Sequence, residues 1–289
     1  MENEYDIAIV GTGPAGLSAA INAKIRNKSI IVFGNKDLSS KLIKAPKINN
    51  YLGFYGITGK QLKESFEAHI SNMKVNITEE RVNAIYSVGN YFVLMVNNKC
   101  YEVKVVIIAT GMEYTKPIKG EEEFLGRGVG YCATCDAQLY KDKVVTIIGY
   151  TKKDEEEANY VNEFASKLYY IPMYHSDYNL KSEIEIVKDK PIEISGQDKV
   201  NKLILKSSEI LTDGVFVLKE SVSPAQLVPG LITEGEHIKV NRDMSTNIKG
   251  CFAAGDCTGT PYQFMKAAGE GLVAALSAVS YIDSNSELY

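Results

Sequence analysis

The chain repeats one pattern twice, in which a short apolar run leads through a glycine-containing turn into a helical stretch. The first copy has a strand over residues 7–10 and a helix over 17–25, and a strand over 29–33 completes a βαβ unit. The second copy begins with a strand at Val144–Gly149 and continues into a helix over 155–166. Two such copies predict an α/β fold with two nucleotide-binding-type, Rossmann-like domains.

The last strand, turn and helix of the chain do not form a complete unit of their own. We therefore predict that they return to the first domain, which then comprises residues 1–114 and 241–289, with the second domain inserted at 115–240. The remaining predicted elements are strands over 103–109, 168–173, 203–207, 214–218 and 250–256 and a helix over 262–282.

Composition and charge exclude several classes of protein. The net charge of −4 argues against a nucleic-acid-binding protein, and the absence of an 18-residue apolar run argues against a membrane span. The chain has five cysteines, an odd number, of which only two are closely spaced. This usage differs from a secreted disulfide framework and indicates a reducing compartment, so we expect a cytoplasmic enzyme.

The turn of the first copy carries the glycine pattern of a dinucleotide-binding site. Gly11 allows the tight turn, Gly13 lets a pyrophosphate approach the backbone, and Gly16 packs the helix on the strand. The phosphate would then lie at the positive end of the helix. The second strand ends in Phe33 and Gly34, where an acidic residue often binds the ribose. The ribose is therefore expected to receive its hydrogen bonds from the backbone or from elsewhere.

Cys132 and Cys135 form a C-x-x-C pair within the sequence CATCD. This spacing brings two sulfurs within reach of a disulfide and favours the thiolate form of one of them. The alternatives are half of a zinc site and chance, but zinc needs four ligands and the chain has no second C-x-x-C or C-x-x-H. The pair therefore predicts redox chemistry. Asp136 follows directly and would shuttle a proton to the leaving thiolate, cap a helix, or do both.

Nearly the whole length of the chain resembles the low-molecular-weight thioredoxin reductases. The most specific stretch is YCATCD at 131–136, and the others occur in the same order as in the family. They are GTGPAG at 11–16, NYLGF at 50–54, ATG at 109–111, FAAGD at 252–256 and AAGEG at 267–271. The resemblance implies a homodimer with an FAD domain formed by both ends of the chain and an inserted middle domain.

The resemblance also implies roles for individual residues. Cys132 would attack the disulfide of thioredoxin, Cys135 would face the flavin, and Asp136 would act as the acid–base residue. Read without the resemblance, Asp256 is equally well explained as a helix N-cap. The implied FAD-binding residues are Gly11, Thr12, Gly13, Pro14, Ala15, Phe33, Gly34, Leu42, Asn50, Val82, Ala109, Thr110, Gly111, Gly255, Asp256, Gln263 and Phe264. No metal ion is implied.

The second glycine turn departs from that of the NADPH-dependent members of this family. Thr151 stands at the second fingerprint glycine, where backbone must meet the pyrophosphate. Asp154 stands at the third small residue, where its charge would repel a phosphate by about 1 kcal/mol or more. Pro172, Met173 and Tyr174 replace the arginine-rich run that pairs with a 2′-phosphate. We therefore predict that the inserted domain is degenerate and does not use NADPH.

A thioredoxin reductase without a nicotinamide site needs another electron donor, and the chain resembles the ferredoxin-dependent flavin thioredoxin reductases. That resemblance implies a reduced iron–sulfur ferredoxin as the donor. Ferredoxins are acidic, so a basic surface is expected to receive one. Seven basic residues and one acid, Asp37, lie between residues 24 and 47, although the net charge of the chain is −4. They are Lys24, Arg26, Lys28, Lys36, Lys41, Lys44 and Lys47, and the alternative is a solvated basic surface without a partner.

The function predicted from these features is reduction of thioredoxin by ferredoxin, through FAD and the Cys132–Cys135 pair. Two alternatives stay open. One is an NAD(P)H-dependent thioredoxin reductase with an atypical nucleotide site, and the other is a flavin-bound redox sensor without turnover.

Two further features of the sequence are less specific indicators of function. The cysteines outside the pair, Cys100, Cys251 and Cys257, are predicted to be buried small apolar residues. Tyr289 belongs either to a frayed terminus or to a tail whose aromatic ring packs over the flavin.

Overall fold

A computed structural model of the chain divides into two compact units. Unit 1 comprises Met1–Glu113 and Ser223–Tyr289, and unit 2 comprises Tyr114–Val222. The structure describes residues 5–38, 42–43, 45–97, 99–112, 117–218, 223–285 and 287.

Helices and strands alternate along most of the described chain. The helices are α1 (Pro14–Ile25), α2 (Gly59–Asn72), α3 (Ala133–Asp136), α4 (Asp154–Val161), α5 (Pro224–Leu227) and α6 (Phe264–Ser284). The strands are β1 (Tyr5–Val10), β2 (Ile30–Phe33), β3 (Ile77–Thr78), β4 (Val82–Val88), β5 (Tyr91–Val96), β6 (Lys99–Ile108), β7 (Val129–Gly130), β8 (Val144–Gly149), β9 (Lys167–Pro172), β10 (Glu185–Ile186), β11 (Pro191–Gly196), β12 (Val200–Leu205), β13 (Glu209–Leu211), β14 (Gly214–Leu218), β15 (Thr233–Glu234), β16 (His237–Ile238) and β17 (Cys251–Ala253).

Unit 1 is built on a seven-stranded sheet in the order β3-β2-β1-β6-β5-β4, in which β6 also pairs with β17. β3, β2, β1, β6 and β17 are parallel, whereas β4, β5 and β6 form an antiparallel ribbon. Ile7, Ala8 and Ile9 of β1 are fully buried, as expected for a parallel strand that is covered on both faces. The strand that follows the inserted unit, β17, therefore completes the sheet begun by β1.

Helices α1 and α6 pack closely against one another in unit 1. A side chain at Gly271 of α6 would lie 2.0 Å from the carbonyl oxygen of Ala15, so only glycine allows this approach. Small residues on the facing surfaces, such as Ala19 and Ala274, are fully buried in the same core. The AAGEG sequence thus serves the packing of these two helices, which brings the start of α1 next to the start of α6.

Unit 2 contains a parallel five-stranded sheet in the order β10-β9-β8-β14-β7. Its core includes fully buried apolar residues of β8 and β9 and Ala133 of α3. A separate antiparallel sheet of β11, β12 and β13 follows β10 along the chain. With the sheet of unit 1, this arrangement confirms the predicted fold class of two Rossmann-like domains.

The chain returns from unit 2 to unit 1 at an earlier residue than the sequence predicted. Unit 1 resumes at Ser223, whereas the sequence analysis predicted an inserted domain over 115–240. The physical reason is that α5 contacts β4, and β16 contacts the 3₁₀ turn at Asp256–Thr258, so residues 223–240 pack on unit 1. In the described part of the chain, no helix is both long and apolar enough to cross a membrane.

Candidate functional site

The carboxyl ends of three parallel strands meet in unit 1 and form a cradle, defined here as the turns that follow β1, β6 and β17. The amide of Ala109 donates to the carbonyl of Val10 at 2.8 Å, and the amide of Ala254 donates to the carbonyl of Ile108 at 2.9 Å. These bonds hold Gly11, Thr110 and Gly255 at one edge of the sheet, where Rossmann-like folds bind their ligands.

The glycine turn after β1 leaves open backbone where a pyrophosphate would approach. Gly11 has a φ of +121°, and a side chain there would lie 2.1 Å from the carbonyl oxygen of Ala109, so glycine is required. By contrast, no heavy atom lies within 4 Å of where a side chain on Gly13 or Gly111 would be. Helix α1 begins at Pro14, so its N-terminal end, where backbone amides lack helical partners, lies at this turn.

Other predicted FAD-binding residues lie around the first turn. Thr12 is buried, and its hydroxyl donates to the carbonyl of Asn35 at 2.9 Å. A side chain on Gly34 would lie 2.7 Å from the methyl group of Thr12. Phe33 pairs with Val10 across β1 and β2. Val82 begins β4, shortly after β3, and its contact with the cofactor stays a prediction.

The third turn of the cradle is held by an ion pair that the sequence analysis did not identify. Lys266 and Glu270 lie one helical turn apart on α6, with Nζ and Oε2 3.1 Å apart. Lys266 donates to the carbonyls of Gly255 and Gly259 at 3.0 and 2.7 Å. Glu270 accepts from the amide of Gly255 at 2.9 Å and from the hydroxyl of Thr258 at 3.0 Å. The pair therefore fixes the turn that carries Asp256.

The structure also brings together predicted residues that are far apart in the sequence. The side-chain amide of Asn50 donates to Oε1 of Gln263 at 2.7 Å. Leu42 is buried in a small cluster with Ile48 and Leu62, and Phe264 packs against that cluster. With the open glycine turns, these residues form a set that fits a flavin dinucleotide, whose pyrophosphate would lie at Gly11–Ala15.

Cys132 and Cys135 of unit 2 are joined in a disulfide, with their Cα atoms 5.3 Å apart. Cys132 is the N-cap of the four-residue helix α3, and its sulfur accepts from the amide of Cys135 at 3.3 Å. Cys132 is only 8% exposed, whereas Cys135 is exposed. The pair has the geometry for reversible thiol–disulfide exchange.

Asp136 is the last residue of α3 and is half-buried. Its burial raises the pKa of the carboxyl above its ordinary value. The space beside it is tight, because a side chain on Gly130 would lie 3.4 Å from Oδ2 of Asp136 and 2.9 Å from the ring of Phe216. A carboxyl with a raised pKa next to the disulfide is suited to proton transfer.

The degenerate glycine turn of unit 2 is closed by its own carboxylate. Oδ2 of Asp154 accepts from the backbone amides of Tyr150 and Thr151, each at 2.8 Å, and Asp154 is 6% exposed. These backbone amides belong to the strand-to-helix turn whose donors hold the pyrophosphate in a dinucleotide-binding domain. The sequence prediction treated Asp154 only as a repelling charge, but the structure places its carboxylate on the donors themselves.

Aromatic side chains lie at the edge of the same sheet, at the position that corresponds to the arginine-rich run of the NADPH-dependent members. The hydroxyl of Tyr174 donates to Oε1 of Glu155 at 2.6 Å and lies 3.1 Å from the hydroxyl of Tyr170. Oε2 of Glu155 accepts from the amide of Asn179 at 2.7 Å, and Glu155 is 3% exposed. The aromatic rings of Tyr174 and Tyr178 meet edge to face. Both buried acids of α4, Asp154 and Glu155, are therefore used within the unit.

The family of the chain follows from comparison with known proteins. The profile of the pyridine nucleotide-disulphide oxidoreductases matches residues 5–271. The chain belongs to this family. A thioredoxin reductase of Bacillus subtilis (strain 168) is 30% identical to this oxidoreductase. The alignment, which is 311 positions long with its gaps, covers 99% of this chain and 97% of that protein.

Solved structures place the oxidoreductase among the thioredoxin reductases. A ferredoxin-flavin thioredoxin reductase from Clostridium acetobutylicum is 63% identical, with a TM-score of 0.90 and coverage of 98% of this chain and 99% of that chain. A thioredoxin reductase from Gloeobacter violaceus is 27% identical, with a TM-score of 0.75 and coverage of 97% and 95%. The resemblance inferred from the sequence is thereby confirmed, and the oxidoreductase is a flavin-dependent thioredoxin reductase with Cys132–Cys135 as its redox-active disulfide.

The three other cysteines of the oxidoreductase fall into two groups. Cys251 and Cys257 are fully buried, and burial raises the pKa of their thiols to about 12 and about 11. The prediction that Cys100 is buried was wrong, because this residue is exposed near the end of the β5–β6 ribbon, opposite Met95. The two buried thiols are therefore protonated and inert at neutral pH.

Several basic side chains of the segment between residues 24 and 47 have partners within unit 1. Lys28 forms an ion pair with Asp283, and Nζ of Lys36 lies 4.0 Å from Glu79. Nζ of Lys24 donates to the carbonyl of Lys74 at 3.0 Å, and Arg26 donates to that of Asn22 at 3.2 Å. Lys47 is exposed. Lys41 and Lys44, like Tyr289, lie outside the described residues, so docking of a partner here stays a prediction.

Proposed function

We propose that this chain reduces the disulfide of thioredoxin with electrons from a reduced ferredoxin, through FAD, and independently of NADPH. The observation that carries the proposal is the carboxylate of Asp154 on the amides of Tyr150 and Thr151. A nicotinamide dinucleotide would have to displace a buried anion from the donors that its own phosphates require.

The two units have different roles in the proposed reaction: the cradle in unit 1 would bind the flavin, and unit 2 carries the disulfide. The cradle residues Gly11, Gly13 and Asp256 would hold FAD, which would supply one-electron uptake and two-electron delivery. Two electrons and two protons convert the Cys132–Cys135 disulfide to two thiols. One thiol then loses its proton, and the resulting thiolate attacks the disulfide of thioredoxin and releases one thioredoxin thiolate, which takes up a proton. The second cysteine attacks the mixed disulfide, which releases the other thioredoxin thiolate and restores the Cys132–Cys135 bond.

The name of the Clostridium acetobutylicum protein, which is 63% identical, supports ferredoxin as the donor. FAD as the specific flavin is supported by the dinucleotide geometry of the Gly11–Ala15 turn. The homodimer and the cytoplasmic location stay predictions from the sequence.

Anaerobic stopped-flow measurement of flavin absorbance tests the choice of donor. We expect reduced ferredoxin to reduce the flavin in a saturable reaction, and NADPH to do so at least about 10²-fold more slowly. The factor follows from two charge-assisted hydrogen bonds to phosphate that are lost, at about 1.5–3 kcal/mol each. A Thr151→Gly, Asp154→Ala double variant frees the two amides, and NADPH should reduce its flavin faster than that of the wild type.

Rapid saturable reduction by NADPH with ferredoxin inert would restore the standard NADPH-dependent enzyme. Flavin reduction by either donor without turnover of thioredoxin would instead identify a redox sensor.

Salt and charge reversal test the basic segment as the ferredoxin-docking surface. Attraction between exposed charges is screened beyond about 8 Å at physiological ionic strength, so ferredoxin-driven flavin reduction should slow as salt increases. Lys36 and Lys47 are exposed, and their reversal to Glu should slow this step about tenfold at low salt. The matched control is reversal of Lys199 and Lys206, which are exposed on unit 2. Equal slowing by both double variants would exclude a specific docking surface.

A further inference from the structure

The amides at the start of helix α3 are the groups nearest to Cys132 that can stabilise a thiolate. The sulfur of Cys132 already accepts from the amide of Cys135 at 3.3 Å. The amide of Ala133, directly after Cys132, instead donates to Oε2 of Glu157 at 3.0 Å. Glu157 projects from the first turn of α4, and all of these residues belong to unit 2.

We propose that Glu157 is a positioning residue that keeps the reduced Cys132–Cys135 pair from being stabilised as a thiolate. The proposal rests on the thioredoxin-reducing function proposed above. Glu157 acts in two ways: its carboxylate takes an amide that would otherwise be open to the Cys132 thiolate, and it places a negative charge at the amide directly after Cys132. Both effects disfavour the thiolate, and a reduced state that is less stabilised is a stronger reductant.

Other charged groups lie on or near α3. Asp136 lies on the helix itself and is half-buried. Tyr131, which precedes Cys132, donates to Oε1 of the fully buried Glu121 at 3.0 Å. A cation, Lys143, lies 5.2 Å from the ring centre of Tyr140. Asp136, Glu157 and, through Tyr131, Glu121 are thus three acidic groups on or next to α3, and Lys143 lies against an aromatic ring one turn beyond.

The fold fixes Glu157 in this role. Asp154 caps the turn before α4, and Glu155 is bound by Tyr174 and Asn179, so the start of the helix is anchored on both sides. Ala158, which follows Glu157, is fully buried in the core of unit 2 with Ala133. The contact between α3 and α4 thus holds the carboxylate at the amide of Ala133 in the oxidised state.

Glu157→Gln separates charge from hydrogen bonding, because the amide oxygen of Gln still accepts from Ala133. Glu156→Gln is the matched control, since Glu156 is exposed on the same turn of α4 and loses the same charge. In a Cys135→Ser background, we expect Glu157→Gln to speed alkylation of Cys132 by iodoacetamide at pH 7 about threefold. A tenfold larger thiolate population gives a smaller gain in rate, because nucleophilicity falls as the thiolate becomes more stable. Mass spectrometry of the Cys132 peptide measures this rate.

The second readout is the redox equilibrium of the intact pair against dithiothreitol between pH 6 and pH 10. The equilibrium constant for Glu157→Gln should shift toward the dithiol by up to about tenfold at the alkaline end, or about 30 mV for a two-electron couple. The shift should vanish at the acid end, where both proteins carry thiols.

Equal alkylation rates and equal potentials for Glu157→Gln and Glu156→Gln, at unchanged melting temperature, would overturn the proposal. If Glu157→Gln is unstable, Glu157→Ala provides the second test, because it removes the charge and frees the amide of Ala133, and it should shift the equilibrium toward the dithiol at least as far. Neither readout uses ferredoxin or NADPH. A failed donor assay with a shifted potential therefore overturns only the proposed electron donor.

Discussion

Replacement of either Cys132 or Cys135 by Ser is expected to lower thioredoxin reduction by at least about 10³-fold, as expected when a covalent nucleophile is removed. The two sulfurs form one disulfide, so neither thiol can complete a catalytic cycle alone. The measurement is steady-state reduction of thioredoxin with reduced ferredoxin as the donor. The flavin content of each variant should match that of the wild type, because the residues of the cradle are unchanged.

The same variants distinguish the roles of the two sulfurs. The family resemblance predicts that Cys132 attacks thioredoxin, yet Cys132 is 8% exposed in this structure and Cys135 is exposed. Cys135→Ser should trap a mixed disulfide between Cys132 and thioredoxin, which intact-mass spectrometry detects. A trapped adduct in Cys132→Ser instead would assign the attack to Cys135. Cys100→Ser is the control for an exposed cysteine outside the pair. Near-normal turnover of Cys132→Ser would refute the assignment of Cys132 and Cys135 as the redox-active pair.

The sequence predicted those parts of the fold whose pattern is local. Strands β8 and β14 match their predicted bounds of 144–149 and 214–218, because each is a short apolar run bounded by glycine or polar residues. The helix predicted over 155–166 ends earlier, at Val161. The amide of Phe164 donates to Val161 and that of Ser166 to Lys143, so residues 162–166 turn toward β9. That turn depends on tertiary pairing, which helical periodicity does not record.

The residues of the candidate site also fall into those that a local sequence pattern identifies and those that it does not. The glycines of the first turn and the C-x-x-C pair are identified by spacing alone, because backbone approach and disulfide formation demand those residue types. Glu155, Glu157 and Glu270 carry no such signal, since their importance comes from partners far away in the chain. Asp154 lies between these cases. Its unusual position was visible in the sequence, but its bonds to Tyr150 and Thr151 required the structure.

Asp136→Asn is expected to lower the turnover of thioredoxin by about 10²-fold or more, which is the usual contribution of a positioned general acid. The carboxyl that follows the disulfide has a pKa raised by burial, so a protonated fraction persists above the ordinary range of an aspartic acid. Wild-type activity should fall as the pH rises through that raised pKa, because the carboxyl loses the proton that it donates. Asn cannot ionise, so the residual activity of the variant should lack this alkaline limb.

Folding stability gives an independent check on Asp136. A raised pKa means that the folded state binds the proton more tightly than the unfolded state does. Asp136 therefore lowers the stability of the wild type as the pH rises from the ordinary value of 3.8 through the raised pKa. Asp136→Asn removes this loss, so its melting temperature at pH 8 should equal or exceed that of the wild type. Asp142→Asn is the matched control, since Asp142 is exposed and Asn tolerates its φ of +59°. If Asp136→Asn keeps both the activity and the alkaline limb of the wild type, the proton comes from another group.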